Sequence, residues 1–455
     1  MRLKSPAVRK TASIAIAAVV VSSLAACASA DAKSSSASHD LVVWDAHGPL
    51  FAKAIAPVVT AFEKANPTIK VKIQPVDWTT FQQRVLSAAA GAQLPCVMYS
   101  NTQVESAIAT SNVMAPVNTS IIGKDQLAQY LPAFKKGLQD VHGTQLFVPF
   151  LGGANQIYVR TNGAAGATIP TTYSEWIAWA KKNTKMSGST VSSPGLGWRY
   201  DVPGNTWLPS EFMELVLAAN GQFLDGDNGP TATKALFNTA AGKTALQFMH
   251  DSIWIDKVAL PPSQVNQPKD NAISNFVSGK EASSYLGPWL PNAVATLQGA
   301  AAGFKSTWDA AYLIPKPDIG GKDVTVISTD GWGVPKTCAN APDAWNFIKF
   351  MTSKDSMITF FKVFQHPVAR TDAMLSADVA QLMSTDMAGA SHELDLWKNP
   401  AISAAAVPEM NHKYNADLFT AITKDIVSYL NDAHGDTSAT LNTLESDVNQ
   451  VLKNG

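Results

Sequence analysis

The chain has 455 residues, 46% of them apolar and 16% charged, with 35 Lys and Arg against 36 Asp and Glu. That balance excludes a disordered chain and a strongly basic nucleic-acid binder, and the length predicts two or three domain-sized units with substantial cores. The 28 Gly and 26 Pro exclude collagen-like and proline-rich repeats, which leaves 12 Trp as the one compositional excess. Burial accounts for most Trp in ordinary proteins, but an indole beside a turn also suits the flat apolar face of a ligand.

The first ten residues carry Arg2, Lys4, Arg9 and Lys10 with no acidic residue, and Thr11 to Ala26 is a short run rich in Ala and Val. A basic segment followed by a short apolar one has the form of a secretory signal over residues 1–26, wrongly flanked for a membrane span. Its removal leaves 31 basic against 36 acidic side chains, a mildly acidic exported protein with no electrostatic attraction to nucleic acid. Leu24-Ala25-Ala26-Cys27 resembles a bacterial lipobox, in which the Cys thiol takes a diacylglyceryl group. A lipid anchor on Cys27 at the outer face of the cytoplasmic membrane is the expectation, against an incidental Cys in a plain signal. Residues 27–40 are small, polar and Ser-rich and read as a flexible tether. Cys96 and Cys338 remain in the exported part, either as a disulfide closing a very long loop or as two buried thiols.

Strand and helix signals then alternate. Leu41 to Trp44 is a short apolar run, and Leu50, Phe51, Ala54, Ile55, Val58, Val59 and Phe62 recur at helical spacing. Ile69 to Val76 alternates as a strand, Phe81 to Ala90 returns to helical spacing, and Cys96 to Tyr99 is a buried-strand candidate. Right-handed crossovers would build these into a mostly parallel sheet whose strand carboxyl ends gather at one edge. Val148 to Ala154, with a Pro and two Gly, reads as a crossing between lobes, and a second set of elements begins near Tyr158. Thr172 and Glu175 form a capping box ahead of Trp176 and Trp179. Strands are predicted at Ala282 to Leu286 and Val324 to Ser328, followed by Gly331-Trp332-Gly333-Val334 and a helix capped by Asn340.

No catalytic set accompanies these elements. The eight His have no pair at the i, i+4 spacing of a zinc helix, and no metal site is expected. Asp225-Gly226-Asp227-Asn228-Gly229 lacks the sixth-place Gly of a calcium loop and has Leu236 where the bidentate Glu belongs, so a surface turn is the better reading. Nucleophile elbow, P-loop and strand-linked G-x-G-x-x-G patterns are absent, and no cofactor is expected. A secreted glycoside hydrolase with an unrecognised carboxylate pair stays as the alternative to a binding protein.

Several segments in order resemble the extracellular solute-binding proteins of ABC importers, in the maltose-binding-type branch that takes sugars. They are AFEKANP, IKVKIQPVDW, AAAGAQLPCVMY, QIYVRTNGAAGATIPTTYSEWIAWAKK, NFVSGKEASSYLGPWL, TDGWGVPKTCANAPDAWNFIKFMTS and HPVAR. Cys96 stands where the family usually has Asp, Tyr173 replaces a Trp, and Arg160 displaces an Asn. The resemblance implies an α/β fold of the periplasmic-binding type (type II), each lobe a mostly parallel sheet flanked by helices, with several crossover segments. It implies lobe I from 41–151 and 329–372 and lobe II from 152–328 and 373–455. It also implies a monomer that is not an enzyme, a small-molecule ligand such as a mono- or oligosaccharide, and ABC permease subunits as partners. Polyamines, peptides and glycerol phosphate are the alternative solutes.

Trp289, the Trp of Gly-Pro-Trp, occupies the place where sugar-binding relatives stack an indole on a pyranose ring, and Tyr414 resembles a second aromatic platform. Trp332, between two Gly, is a third ring that projects either into the cleft or into the core. Asp45 and His47 follow the first strand, and Asn101 and Gln103 the third, at carboxyl ends where open α/β sheets place ligands; each has helix capping as its alternative role. Trp207 and Arg199, in GLGWRYDVPGNTW, complete the candidates, and Gly152 and Gly153 stand where some relatives carry a ligand-binding acid.

Overall fold

The computed structural model describes residues 39–161, 169–200, 207–265, 271–296, 308–311, 313–385, 392 and 394–453. The expected signal, Cys27, and nearly all of the tether lie outside the described residues. The first elements follow the hydrophobic pattern closely: β1 (His39–Asp45), α1 (Pro49–Ala65), β2 (Ile69–Pro75), α2 (Phe81–Ala90), β3 (Val97–Asn101) and α3 (Thr102–Thr110). Gly48 takes φ 78° to turn the chain out of β1, and Pro49 opens α1 where a missing N–H is harmless. Phe51, Ala54, Ile55, Val58 and Phe62 form the buried stripe of α1. Thr172 and Glu175 exchange the reciprocal bonds of a capping box at a later helix. Asn340 stands at the N-cap of its helix but its side chain makes no capping bond.

The chain continues through β4 (Val148–Ala154), β5 (Gln156–Arg160), α4 (Tyr173–Asn183), α5 (Trp207–Ala218), α6 (Ala240–Trp254), β6 (Ser283–Leu286) and β7 (Trp308–Ala311). It then forms β8 (Thr325–Gly333), α7 (Ala341–Met351), α8 (Lys354–Phe364), β9 (Ala406–Pro408), α9 (Asn415–Asn431) and α10 (Thr437–Lys453). The predicted strand at Val324 to Ser328 and the following Gly-Trp-Gly are thus one continuous strand.

The first sheet has the order β9-β8-β3-β1-β2, with β4 also paired to β8. β1 is parallel to β2 and to β3, and β9 is parallel to β8. β8 runs antiparallel to β3 and to β4. The second sheet, β6-β5-β7, is antiparallel at both pairings, which corrects the expectation of a mostly parallel sheet in the second lobe. Its strands are separated by long excursions, so no short right-handed crossover fixes their direction.

Two apolar cores result. The first packs α1, α7 and α8 on the first sheet, with Phe51 5.3 Å from Phe360 between ring centres. It also takes in Val379, Met383, Leu396, Trp397 and Ile402, which lie beyond residue 372, the expected limit of lobe I. The second is built from Trp176, Phe212, Phe223, Phe237, Leu246, Ile422 and their neighbours on α4, α5, α6, α9 and α10. β5 alternates between the two: Ile157 and Val159 join the second core while Tyr158 faces residues continuous with the first. Among the described residues, several segments pass from one core to the other, and three of them do so from strands of the first sheet. β4 leads into β5 through Asn155, β8 has Val326 in the second core and Ile327 in the first, and β9 leads through Glu409 to α9.

Cys96 and Cys338 form a disulfide, closing 242 residues and clipping the start of β3 to the segment beyond β8. By chain entropy alone a loop of this size would contribute about 5–6 kcal/mol to stability.

Candidate functional site

The carboxyl ends of β1 and β3 share an edge of the first sheet, and the antiparallel β8 brings Asp330 directly opposite Asn101 there. Just past β1, the His47 ring lies between two carboxylates, with Nδ1 2.6 Å from Asp45 Oδ1 and Nε2 2.9 Å from Asp330 Oδ2. The His47 backbone N–H donates to Asp45 Oδ2 at 3.2 Å, and the Tyr99 hydroxyl donates to Asp330 Oδ1 at 3.1 Å. Burial alone would push the imidazole pKa down, but attraction to Asp45 and Asp330 outweighs it and holds it up at about 10. His47 is therefore an imidazolium at neutral pH. His366 sits beside this group, and burial together with repulsion from His47 pushes it down to about 4.

Trp332 lies behind the cluster and is fully buried, its ring centre 5.5 Å from Phe51 and 6.0 Å from Tyr99 and from Phe150. Of its two alternatives the core position is the one observed. Asn101 likewise takes the capping alternative: its side-chain oxygen accepts from the N–H groups of Gln103 and Val104 at the start of α3. Gln103 donates its amide to Glu409 Oε2 at 3.1 Å, and Asn155 donates to the other oxygen of Glu409 at 3.1 Å. Glu409, which the sequence reading passed over, therefore ties two of the core-to-core crossings to α3. Burial pushes its carboxyl pKa up, opposed by these two donors.

Beyond Leu286, the last residue of β6, the chain turns through Gly287-Pro288-Trp289. A Cβ at Gly287 would stand 2.2 Å from Trp289 Nε1, so only glycine lets the indole fold back over the turn. A Cβ at Gly153 would meet Pro288 carbons at 2.7 Å, so glycine here lets β4 approach the same turn closely. That packing accounts for a residue without a side chain where an acid might have stood. Trp289 is half-buried and meets Trp207, the first residue of α5, edge to face with ring centres 5.2 Å apart and planes at 72°. The guanidinium carbon of buried Arg199 lies 5.0 Å from the Trp207 ring centre. Three of the sequence candidates thus form one group, and residues 201–206 between them lie outside the described residues.

Tyr414 stands at the N-cap of α9, half-buried, with Lys413 Nζ 4.8 Å from its ring centre and the His412 ring 5.4 Å away. The 409–415 segment that carries it is bound to α3: Asn411 accepts from the Ser106 N–H and donates to Glu105, and Asn415 donates to the Gln103 carbonyl. The Asp225 turn is closed by its own carboxylate, which accepts from Thr233 and from the Lys234 N–H. Among the described residues no group of His, Cys, Asp and Glu is arranged to hold a metal ion.

With two cores joined through strands of the first sheet, a polar sheet edge and a pair of half-buried indoles, the architecture has well-characterised counterparts. Residues 45–358 match the family model described as bacterial extracellular solute-binding protein. The chain belongs to that family. Curated proteins yield no match. Among solved structures, the solute-binding protein is similar to the cyclic alpha-maltosyl-1,6-maltose binding protein of Arthrobacter globiformis, with 21% identity, TM-score 0.73, and coverage of 92% of this chain and 100% of that one. It is also similar to an ABC transporter solute-binding protein of Thermotoga lettingae solved with alpha-D-tagatose, with 17% identity, TM-score 0.73, and coverage of 91% and 100%. The GacH receptor of Streptomyces glaucescens, solved with acarbose, has 20% identity, TM-score 0.72, and coverage of 91% and 99%. These likenesses establish the two-lobed fold. Membership of an extracellular family makes it an exported protein, and no helix among the described residues is long and apolar enough to cross a membrane.

Proposed function

We propose that this solute-binding protein captures an uncharged mono- or oligosaccharide between its lobes and delivers it to the permease of an ABC importer, held to the membrane by a lipid on Cys27. The observation that carries the reading is the half-buried Trp289–Trp207 pair on a turn that packs against β4 of the first sheet. Indole faces suit the C–H face of a pyranose, and the carboxylate and amide groups along the sheet edge suit its hydroxyls. The sugars named for the Arthrobacter, Thermotoga and Streptomyces proteins support the same ligand class. In mechanism, a ligand touching both lobes favours the closed arrangement, and a permease that reads that arrangement senses loading.

Tryptophan fluorescence of the delipidated protein, titrated with a carbohydrate panel, tests this. Saturable change is expected with at least one neutral saccharide, and Trp289→Ala should weaken its binding by on the order of 1–3 kcal/mol. A folded Trp289→Ala protein with unaltered affinity removes the stacking role, and silence toward the whole panel removes the ligand class.

A further inference from the structure

The hydrogen bonds around His47 decide which member of its cluster can meet a ligand. Both ring nitrogens of His47 are occupied by carboxylates, and Asp45 is 1% exposed with both oxygens turned to His47. Asp330 differs: its side chain is 15% exposed, and among the described residues each oxygen takes a single hydrogen bond, one from His47 and one from Tyr99. A carboxylate oxygen has two lone pairs, so each keeps an acceptor position open.

Its place in the fold suits that use. Asp330 lies opposite Asn101 at the carboxyl edge of the first sheet. Two residues earlier on the same strand, Ser328 is paired with Gly153, which packs against the turn that carries Trp289. The charge is also informative. Two carboxylates around one imidazolium leave one net negative charge, and the nearby carboxyl of Glu409 also feels repulsion from Asp330.

We infer that Asp330 is the specificity-determining residue of the first lobe: it accepts hydroxyl hydrogens from a neutral saccharide and turns away acidic sugars. His47 and Tyr99 are positioning residues that hold its two oxygens. The inference rests on the saccharide-binding reading given above and names the class of saccharide. A hydroxyl donates to the open lone pairs, whereas a uronate brings a second negative charge to a site with no spare donor on His47.

Calorimetric titration of the intact soluble protein, Asp330→Asn and Tyr99→Phe tests this with maltotriose, maltose and tagatose as neutral probes and trigalacturonate as the acidic one. Native protein should bind a neutral probe and not trigalacturonate. Asp330→Asn should lose at least about tenfold on the neutral probe, the size expected from a charge-assisted hydrogen bond, and narrow the gap to trigalacturonate. Tyr99→Phe should lose about two- to fivefold on neutral probes with the carboxylate retained, and it carries the test if Asp330→Asn does not fold. Equal affinity of native protein for trigalacturonate, or a folded Asp330→Asn with its neutral affinity intact, overturns the inference. If Trp289→Ala weakens binding while Asp330→Asn does not, the function stands and only the assignment of Asp330 falls. If no probe binds native protein, both fall together.

Discussion

His47 shows how strongly two neighbours can set one side chain. Its folded-state pKa of about 10 stands above the ordinary 6.5, so the stability it contributes is fully present below pH 6.5 and is lost as pH rises through about 10. The groups facing it are Asp45 from β1, Asp330 and Trp332 from β8, Tyr99 from β3, Phe51 from α1, and Phe364 and His366 at and beyond the end of α8. Chemical unfolding at pH 6 and pH 9.5 reads the effect directly. His47→Gln should cost on the order of a few kcal/mol at the lower pH and distinctly less at the higher one; the same cost at both would show that the charge of His47 contributes nothing. At this scale the sequence was partly legible. Asp45 and His47 were visible as residues after a strand, but Asp330 and Tyr99 join them only through the β8–β3 register, which links positions some two hundred residues apart. Trp332 illustrates the converse, since two flanking Gly say that the backbone is approached closely but not which side the ring takes.

Among the elements, those made by local pattern were legible and those made by distant pairing were not. α1 and α2 follow the apolar spacing nearly to the residue, because one buried stripe specifies a helix. The antiparallel insertion of β8 between β3 and β4 leaves no local mark, and neither does the direction of the second sheet. Buried carboxylates on neighbouring helices accept from the crossings between cores, and apolar pattern reading passes over them. Glu105 on α3 accepts from Asn411 through one oxygen, while its other oxygen is buried without a hydrogen-bond partner, and burial pushes its pKa up to about 8. Glu214 on α5 accepts from the Tyr285 hydroxyl and from the Val326 N–H, and burial pushes it to about 8 as well. For both, the folded value lies above the ordinary 4.5, so their contribution is fully present below pH 4.5 and is lost as pH rises through about 8. Glu105→Gln should therefore gain on native protein as pH is raised from 5 to 9, by on the order of a few kcal/mol in unfolding free energy. Parallel stability curves for the two proteins would show that Glu105 is not protonated in the fold.

Strands of the first sheet lead from one core to the other, and the disulfide ties β3 to the segment beyond β8 with both cysteines packed against the first core. Trp289, Trp207 and Arg199 form their own group, and the turn that carries Trp289 packs against Gly153 of β4. The ordered resemblance of these segments implies this two-lobed architecture, while the ligand contacts depend on pairings between distant residues that no single segment carries. Capture without chemistry is the central claim. Native mass spectrometry of the protein as purified, and after addition of the neutral saccharide panel, tests it most directly. The account predicts a one-to-one complex whose added mass is that of the intact sugar, released unchanged on activation. Shortened sugar products, or a protein that stays bare with every saccharide offered, would contradict it.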